Sequence, residues 1–119
     1  MSIAMDLTAA NFTEKLLALQ SDGELRKHQR YFRFDPDDQP ADNYFIGVRM
    51  GNIFALGKEY AQMPMAEIEK LMESPIHEIR VGAMSIMGQC AKGKNCSDER
   101  LKELYELYIR RHDRINNWD

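Results

Sequence analysis

The sequence predicts an all-α fold of stacked helix pairs, an α-solenoid, and three observations carry that prediction. Apolar residues recur at intervals of three and four rather than in alternation, which is the spacing of one helix face. Capping residues, prolines and glycines divide that pattern into segments of helix length. A shift of 31 residues lays Val48-Arg49-Met50-Gly51 over Ile79-Arg80-Val81-Gly82 and Gly57 over Gly88.

Taken in order, Asn11-Phe12-Thr13-Glu14 and Ser21-Asp22-Gly23-Glu24 each resemble a capping box, an acceptor side chain followed three residues later by Glu. They predict helices near 12–20 and 22–33. Phe12, Leu16 and Leu19 share a face of the first; Leu25, His28 and Phe32 share one of the second. Two prolines and four acids with no base make 35–42 a loop inside the domain. Beyond Gly47, the stripe Met50, Ile53, Phe54, Gly57, Tyr60 and Ala61 runs until Met63-Pro64. Ile68, Leu71 and Met72 mark a short partner helix. Ser74-Pro75 reads as a cap followed by Pro in the first helical position. Ile79, Ala83, Ile86, Met87 and Cys90 line the next helix, flanked by Val81 and Met84, and Gly93 ends it. Ser97 caps the last, whose stripe is Leu101, Leu104, Tyr105 and Tyr108.

The second helices correspond when the later loop is two residues longer, with Ile68 and Leu71 over Leu101 and Leu104. A lone helix pair cannot bury its apolar face, so such units stack. The matched glycines are expected to let neighbouring helices approach closely. The repeated arginine has two readings. Its stem can cover the core while its head finds an acid, or repeated guanidiniums can line a concave surface that meets phosphates. The first reading is preferred for Arg49; both stay open for Arg80.

At 119 residues the chain suits one domain with a modest core. With 44% hydrophobic and 29% charged residues, wholesale disorder is excluded. No apolar run approaches the ~20 residues that span a bilayer. Asp6, Glu14 and Lys15 interrupt the first twenty residues, so no signal peptide is expected and the cytoplasm is the expected compartment.

The net charge of −3 argues against a generally basic nucleic-acid binder. Its distribution is uneven: −4 over residues 1–75 and +1 over 76–119. A polyanion-facing surface therefore belongs to the second part, above all to Arg110–Arg114. Lys92 and Lys94 flank Gly93 and read equally as backbone contacts or as a solvated loop. Five residues separate Cys90 from Cys96 with no His at a matching interval, so two reduced, partly buried thiols are expected rather than a zinc knuckle. His77, beside Glu78, reads as structural, and His28 as a half-buried helix residue. The eight methionines read as packing, as do Tyr105 and Tyr108. No Gly-rich phosphate loop and no ligand set for a metal stand in the sequence, and neither metal nor cofactor is expected.

Three ordered motifs remain: 45–51 (Phe-Ile-Gly-Val-Arg-Met-Gly), 74–83 (Ser-Pro-Ile-His-Glu-Ile-Arg-Val-Gly-Ala) and 110–119 (Arg-Arg-His-Asp-Arg-Ile-Asn-Asn-Trp-Asp). Together they resemble the AlkD-type DNA alkylation repair family, which are HEAT-like-repeat DNA glycosylases. The likeness covers most of the chain from about residue 12 onward. It implies a right-handed α-α superhelix of HEAT/armadillo-like helix pairs, with a basic concave face holding double-stranded DNA that carries alkylated bases. The implied activity is hydrolysis of the N-glycosidic bond of alkylated purines, without metal, nucleotide or redox cofactor. Members of that family are about twice this long, so residues 1–119 are expected to be the N-terminal part of the repeat domain.

The family motif is Trp-Asp-x-Val-Asp, whose second Asp is the catalytic carboxylate. Trp118 and Asp119 match its first two positions, and the catalytic Asp falls three residues beyond Asp119. No catalytic residue is therefore assigned within 1–119, and these residues alone are expected to excise no base. Arg80, Arg110, Arg111, His112, Arg114 and Trp118 are the nucleic-acid-binding candidates. For the cations of 110–114, the competing reading is a helix C-terminus complementing the helix dipole. The alternative function is a non-enzymatic helical-repeat module that binds a protein partner. Self-association through the terminal repeat is left open, since a solenoid's last unit exposes an apolar face.

Overall fold

A computed structural model describes residues 7–32, 39, 41, 43–93 and 96–112. Six helices lie among them: α1 (Ala9–Leu17), α2 (Asp22–Phe32), α3 (Met50–Glu59), α4 (Met65–Met72), α5 (His77–Lys92) and α6 (Asp98–Arg110). The all-α class expected from the spacing is what the structure has. Strand-like pairing among the described residues is limited to a parallel bridge between Tyr44 and Ile76.

α1 starts earlier than the Asn11 reading. Thr8 is its cap, its hydroxyl accepting from the Asn11 N–H at 3.1 Å, and the Ala9 N–H is satisfied by Glu67 of α4 at 2.9 Å. A tertiary carboxylate therefore supports the added turn. Phe12 and Leu16 are buried, whereas Leu19, just past the helix, is exposed. Ser21 caps α2 as expected, accepting from the Glu24 N–H at 3.1 Å.

α3 shows how contacts between helices rotate a face that periodicity locates only roughly. Ile53, Leu56, Gly57 and Tyr60 turn inward, while Met50 and Phe54 of the expected stripe are exposed. The pivot is Gly57, which packs directly on Ser85 of α5, so closely that a Cβ there would collide with the Ser85 side chain. Tyr60 then meets Phe12 edge to face with centroids 5.3 Å apart, joining α1 to α3. α4 buries Ile68, Leu71 and Met72 as expected.

α5 begins at His77 rather than next to Ser74. The Pro75 carbonyl accepts from the Tyr44 N–H at 2.9 Å, and the His77 N–H donates to the Tyr44 carbonyl at 2.7 Å. Those bridge bonds hold Pro75 and Ile76 extended. The Ser74 hydroxyl accepts from the Ile76 N–H at 3.1 Å, making a local turn rather than a helix cap. Buried from His77 through Ala83, α5 packs on α3, α4 and α6 and is the central element of the fold.

Gly93 ends α5 and Ser97 caps α6, accepting from the Arg100 N–H at 3.1 Å. α6 is rotated from expectation: Leu104 and Leu107 are buried, Leu101 is exposed and Tyr105 is 67% exposed. Arg100 fixes that rotation. Its Nη2 donates to the Met63 carbonyl at 2.7 Å and to the Ala61 carbonyl at 3.3 Å, turning its side of α6 toward the α3–α4 connection.

Corresponding helices of the two repeat units pack together, α3 on α5 and α4 on α6, as stacking of equivalent pairs requires. The smallest dimension is 21 Å, about two helix diameters. The glycine correspondence is only partial. Gly57 and Gly82 are close-approach positions, Gly82 against the Phe12 ring, but their counterparts Gly88 and Gly51 face open space. No described helix is long and apolar enough to cross a membrane.

Candidate nucleic-acid interface

The end of α6 presents Arg110, Arg111 and His112, and both arginines meet acids on α4 or at its C-cap. Arg110 donates from Nη2 to Glu69 Oε1 at 2.8 Å. Arg111 spans two acids, meeting Glu69 Oε2 through Nη1 at 3.0 Å and Glu73 through Nη2. Both arginines, Arg111 first, hold the Glu69 carboxyl below the usual carboxylate range. Glu69 on α4 and Glu73 at its C-cap, four residues apart, thus receive the end of α6.

The pair divides by exposure. The Arg111 side chain is 17% exposed and ties α6 to α4, whereas Arg110 is 58% exposed and presents its head to solvent. His112 is exposed, its ring 6.2 Å from that of Tyr108 at an edge-on angle. Two glutamates balance two arginines here, so a phosphate reaching Arg110 shares it with Glu69. Arg114, Trp118 and Asp119 lie outside the described residues, as do Lys94 and most of the acidic 35–42 loop.

Arg80 stands apart from this group. It is 2% exposed, and its guanidinium donates from Nη1 to the Ser74 carbonyl at 2.7 Å and from Nη2 to Asn43 Oδ1. Its repeat counterpart Arg49 is exposed at the start of α3. Of the two readings left open for Arg80, the structure has the buried one, and the two repeat arginines stand in unlike surroundings. Arg80 serves as a clamp holding residue 43 and the 74–76 turn against α5.

A second buried charge escaped the sequence reading. Glu78, fully buried, accepts from three consecutive backbone amides: Ile46 at 3.1 Å, Gly47 at 2.8 Å and Val48 at 3.2 Å. This carboxylate takes the place of a cap for the approach to α3, whose own N-cap, Arg49, supplies no side-chain bond. Gln39 adds two hydrogen bonds to Phe45, its Oε1 accepting from the Phe45 N–H at 2.7 Å and its Nε2 donating to the carbonyl at 3.0 Å. The first turn of α5 thus organises the entire 43–48 segment.

His77 completes that centre. Its ring stacks on Phe45 at 4.2 Å, and Phe45 in turn meets the His28 ring, tilted, at 5.8 Å. Burial, with Arg80 and His28 acting in the same direction, pushes the His77 imidazole down to about 4 from 6.5. A base whose folded pKa is depressed adds stability above its unfolded pKa and loses it as pH falls through the folded one. From pH 7 to pH 4, urea unfolding is expected to show a loss of roughly 3 kcal/mol from this group. That component is absent from His77→Phe, which keeps the stack; equal acid sensitivity in both proteins would contradict the assignment.

Cys90 is buried and Cys96 half-buried, both free, with their sulfurs 3.5 Å apart. Arg100 Nε donates to Cys90 Sγ at 2.9 Å. Burial and the neighbouring Cys90 raise the Cys96 thiol above its usual range. Among the described residues, no three His, Cys, Asp or Glu side chains gather closely enough to hold a metal ion.

Comparison with known families gives a match to one described as the DNA alkylation repair enzyme family, over residues 12–119. Neither the curated proteins nor the solved structures yield a match. The match spans all six helices except the first residues of α1 and runs through the three motifs of residues 45–51, 74–83 and 110–119. The chain belongs to the DNA alkylation repair enzyme family.

Proposed function

We propose that this chain serves a DNA glycosylase of the HEAT-like-repeat kind, which hydrolyses the N-glycosidic bond of alkylated purines in duplex DNA. The observation that carries this reading is the family match across residues 12–119, on a fold of stacked helix pairs. Residues 1–119 act as the N-terminal part of a right-handed superhelix in the cytoplasm. Arg110, His112 and Arg114 meet phosphates beside the lesion, and Trp118 faces it. Arg111 steadies α6, and Arg80 acts from inside the fold.

The chemistry makes modest demands. Alkylation of a ring nitrogen leaves the purine cationic, so it departs readily. A fixed carboxylate stabilises the positive charge left on the sugar and orients a water, while an indole face attracts the cationic base. Trp118 and Asp119 match the start of the family motif that supplies those groups. Within residues 1–119 the role is binding: weak, salt-sensitive association with DNA and no release of base.

A gel shift with alkylated duplex, run alongside an assay for released purine, tests this reading. Wild type is expected to retard the duplex and release nothing, and Arg110→Glu with Arg114→Glu is expected to abolish the shift. Purine release by the purified chain, or retardation that survives both reversals, would overturn it. The second reading is a protein-interaction module. It is favoured by Leu101, Tyr105 and Ile109, exposed apolar residues at four-residue steps on α6, which also suit self-association. Under that reading the charge reversals leave any retention unchanged.

A further inference from the structure

The junction between α5 and α6 carries chemistry that DNA binding does not use. Cys90, in the last turn of α5, and Cys96, just before the Ser97 cap of α6, hold their sulfurs 3.5 Å apart. A disulfide needs about 2.0 Å between sulfurs, so closure requires the two to approach by about 1.5 Å from where they stand. The thiols differ in their surroundings. Cys96 is half-buried and open to a reagent in solution, whereas Cys90 has no exposed surface. Cys90 also accepts a hydrogen bond from the Arg100 guanidinium at 2.9 Å, which fixes the position of its sulfur beside Cys96. Arg100 is held for that task by the Met63 and Ala61 carbonyls.

The geometry points to Cys90 and Cys96 as a redox-active thiol pair that closes to an intramolecular disulfide on exchange with a small disulfide such as glutathione disulfide. Cys96 is the entry thiol. Its thiolate attacks one glutathione sulfur, a Cys96–glutathione bond forms, and the first glutathione leaves as thiolate. The Cys90 thiolate then attacks Cys96 Sγ, the Cys90–Cys96 bond forms, and the second glutathione leaves. Both protein thiols are oxidised, and their two protons and two electrons end on two molecules of glutathione. Cys96 titrates above the ordinary thiol range, so capture accelerates as pH rises. Closure ties the end of α5 to the start of α6, and thereby links α6 covalently to the central helix.

The test exposes the full chain to glutathione disulfide, quenches in acid, alkylates remaining thiols under denaturing conditions, and weighs the intact protein. Wild type is expected to end two hydrogens lighter, carrying neither glutathione nor alkyl groups, and to regain two alkylatable thiols after dithiothreitol. Cys90→Ser is expected to stop at the mixed disulfide on Cys96, which persists at least about tenfold longer than in wild type. Cys96→Ser, a change at a half-buried site, leaves Cys90 unmodified on the same timescale. Stable glutathione on Cys96 of the wild type, two alkylated thiols, or a disulfide-linked dimer as the main product would each overturn the proposal.

Discussion

Glu78→Ala is expected to destabilise the fold by about 3–5 kcal/mol. The carboxylate is fully buried and is the acceptor for the amides of Ile46, Gly47 and Val48. An alanine leaves three donors facing a low-dielectric interior, each costing about 1–3 kcal/mol less whatever water recovers. Glu78→Gln keeps one acceptor oxygen but places an amide NH2 against N–H donors, and about half the loss is expected. Chemical denaturation reads both values. A loss under about 1 kcal/mol for the alanine variant would show that the three amides have other partners.

Gly47→Ala is expected to cost about 3 kcal/mol or more, for a reason independent of charge. Gly47 has φ +86°, where a side chain is strained, and it lies against backbone rather than flexible side chains. A Cβ would stand 2.5 Å from the Ser21 carbonyl oxygen and 2.6 Å from the Leu25 nitrogen, at the first turn of α2. The Ser21 N–H donates to the Gly47 carbonyl at 2.8 Å, so the clash falls on the contact that holds the start of α2 against the 43–48 segment. Gly51→Ala and Gly88→Ala are the matched controls. Both sit in helices and face open space, so each is expected to stabilise by about 0.5–1 kcal/mol. Thermal unfolding of the three variants distinguishes backbone strain from a general intolerance of alanine.

Features of this fold set by short-range forces are legible in the sequence, and those set by long-range contacts are not. Ser21, Gly93 and Ser97 delimit helices by local hydrogen bonding and backbone freedom, and each was legible from its neighbours alone. The stacking of α3 on α5 and α4 on α6 was legible because the 31-residue repeat carries it. The rotations of α3 and α6 were not, since Gly57–Ser85 packing and the reach of Arg100 to the Met63 carbonyl join residues far apart in sequence.

Glu78 was missed for a related reason. Under the repeat its counterpart is Gly47, one of the residues whose amide it binds, so the two units are not equivalent at this position but complementary. The same asymmetry separates the paired arginines. Arg80 finds Asn43 and the Ser74 carbonyl within the fold, whereas Arg49 remains exposed. At the candidate interface, the sequence identified the cationic end of α6 but could not reveal that Glu69 of α4 and Glu73 at its C-cap face it. Those acids convert Arg111 into a tie between helices and leave Arg110 as the surface cation.

Fluorescence anisotropy of an alkylated duplex, titrated with the protein over a series of salt concentrations, tests DNA engagement by the α6 end most directly. Each phosphate contact contributes about −0.9 to the slope of log affinity against log salt. Wild type is expected to give a clear negative slope, and Arg110→Gln with Arg114→Gln, which spares the Arg111 tie, is expected to make it shallower by roughly 1–2. Binding whose affinity and slope are the same in both proteins would contradict a role for this end of the fold in holding DNA.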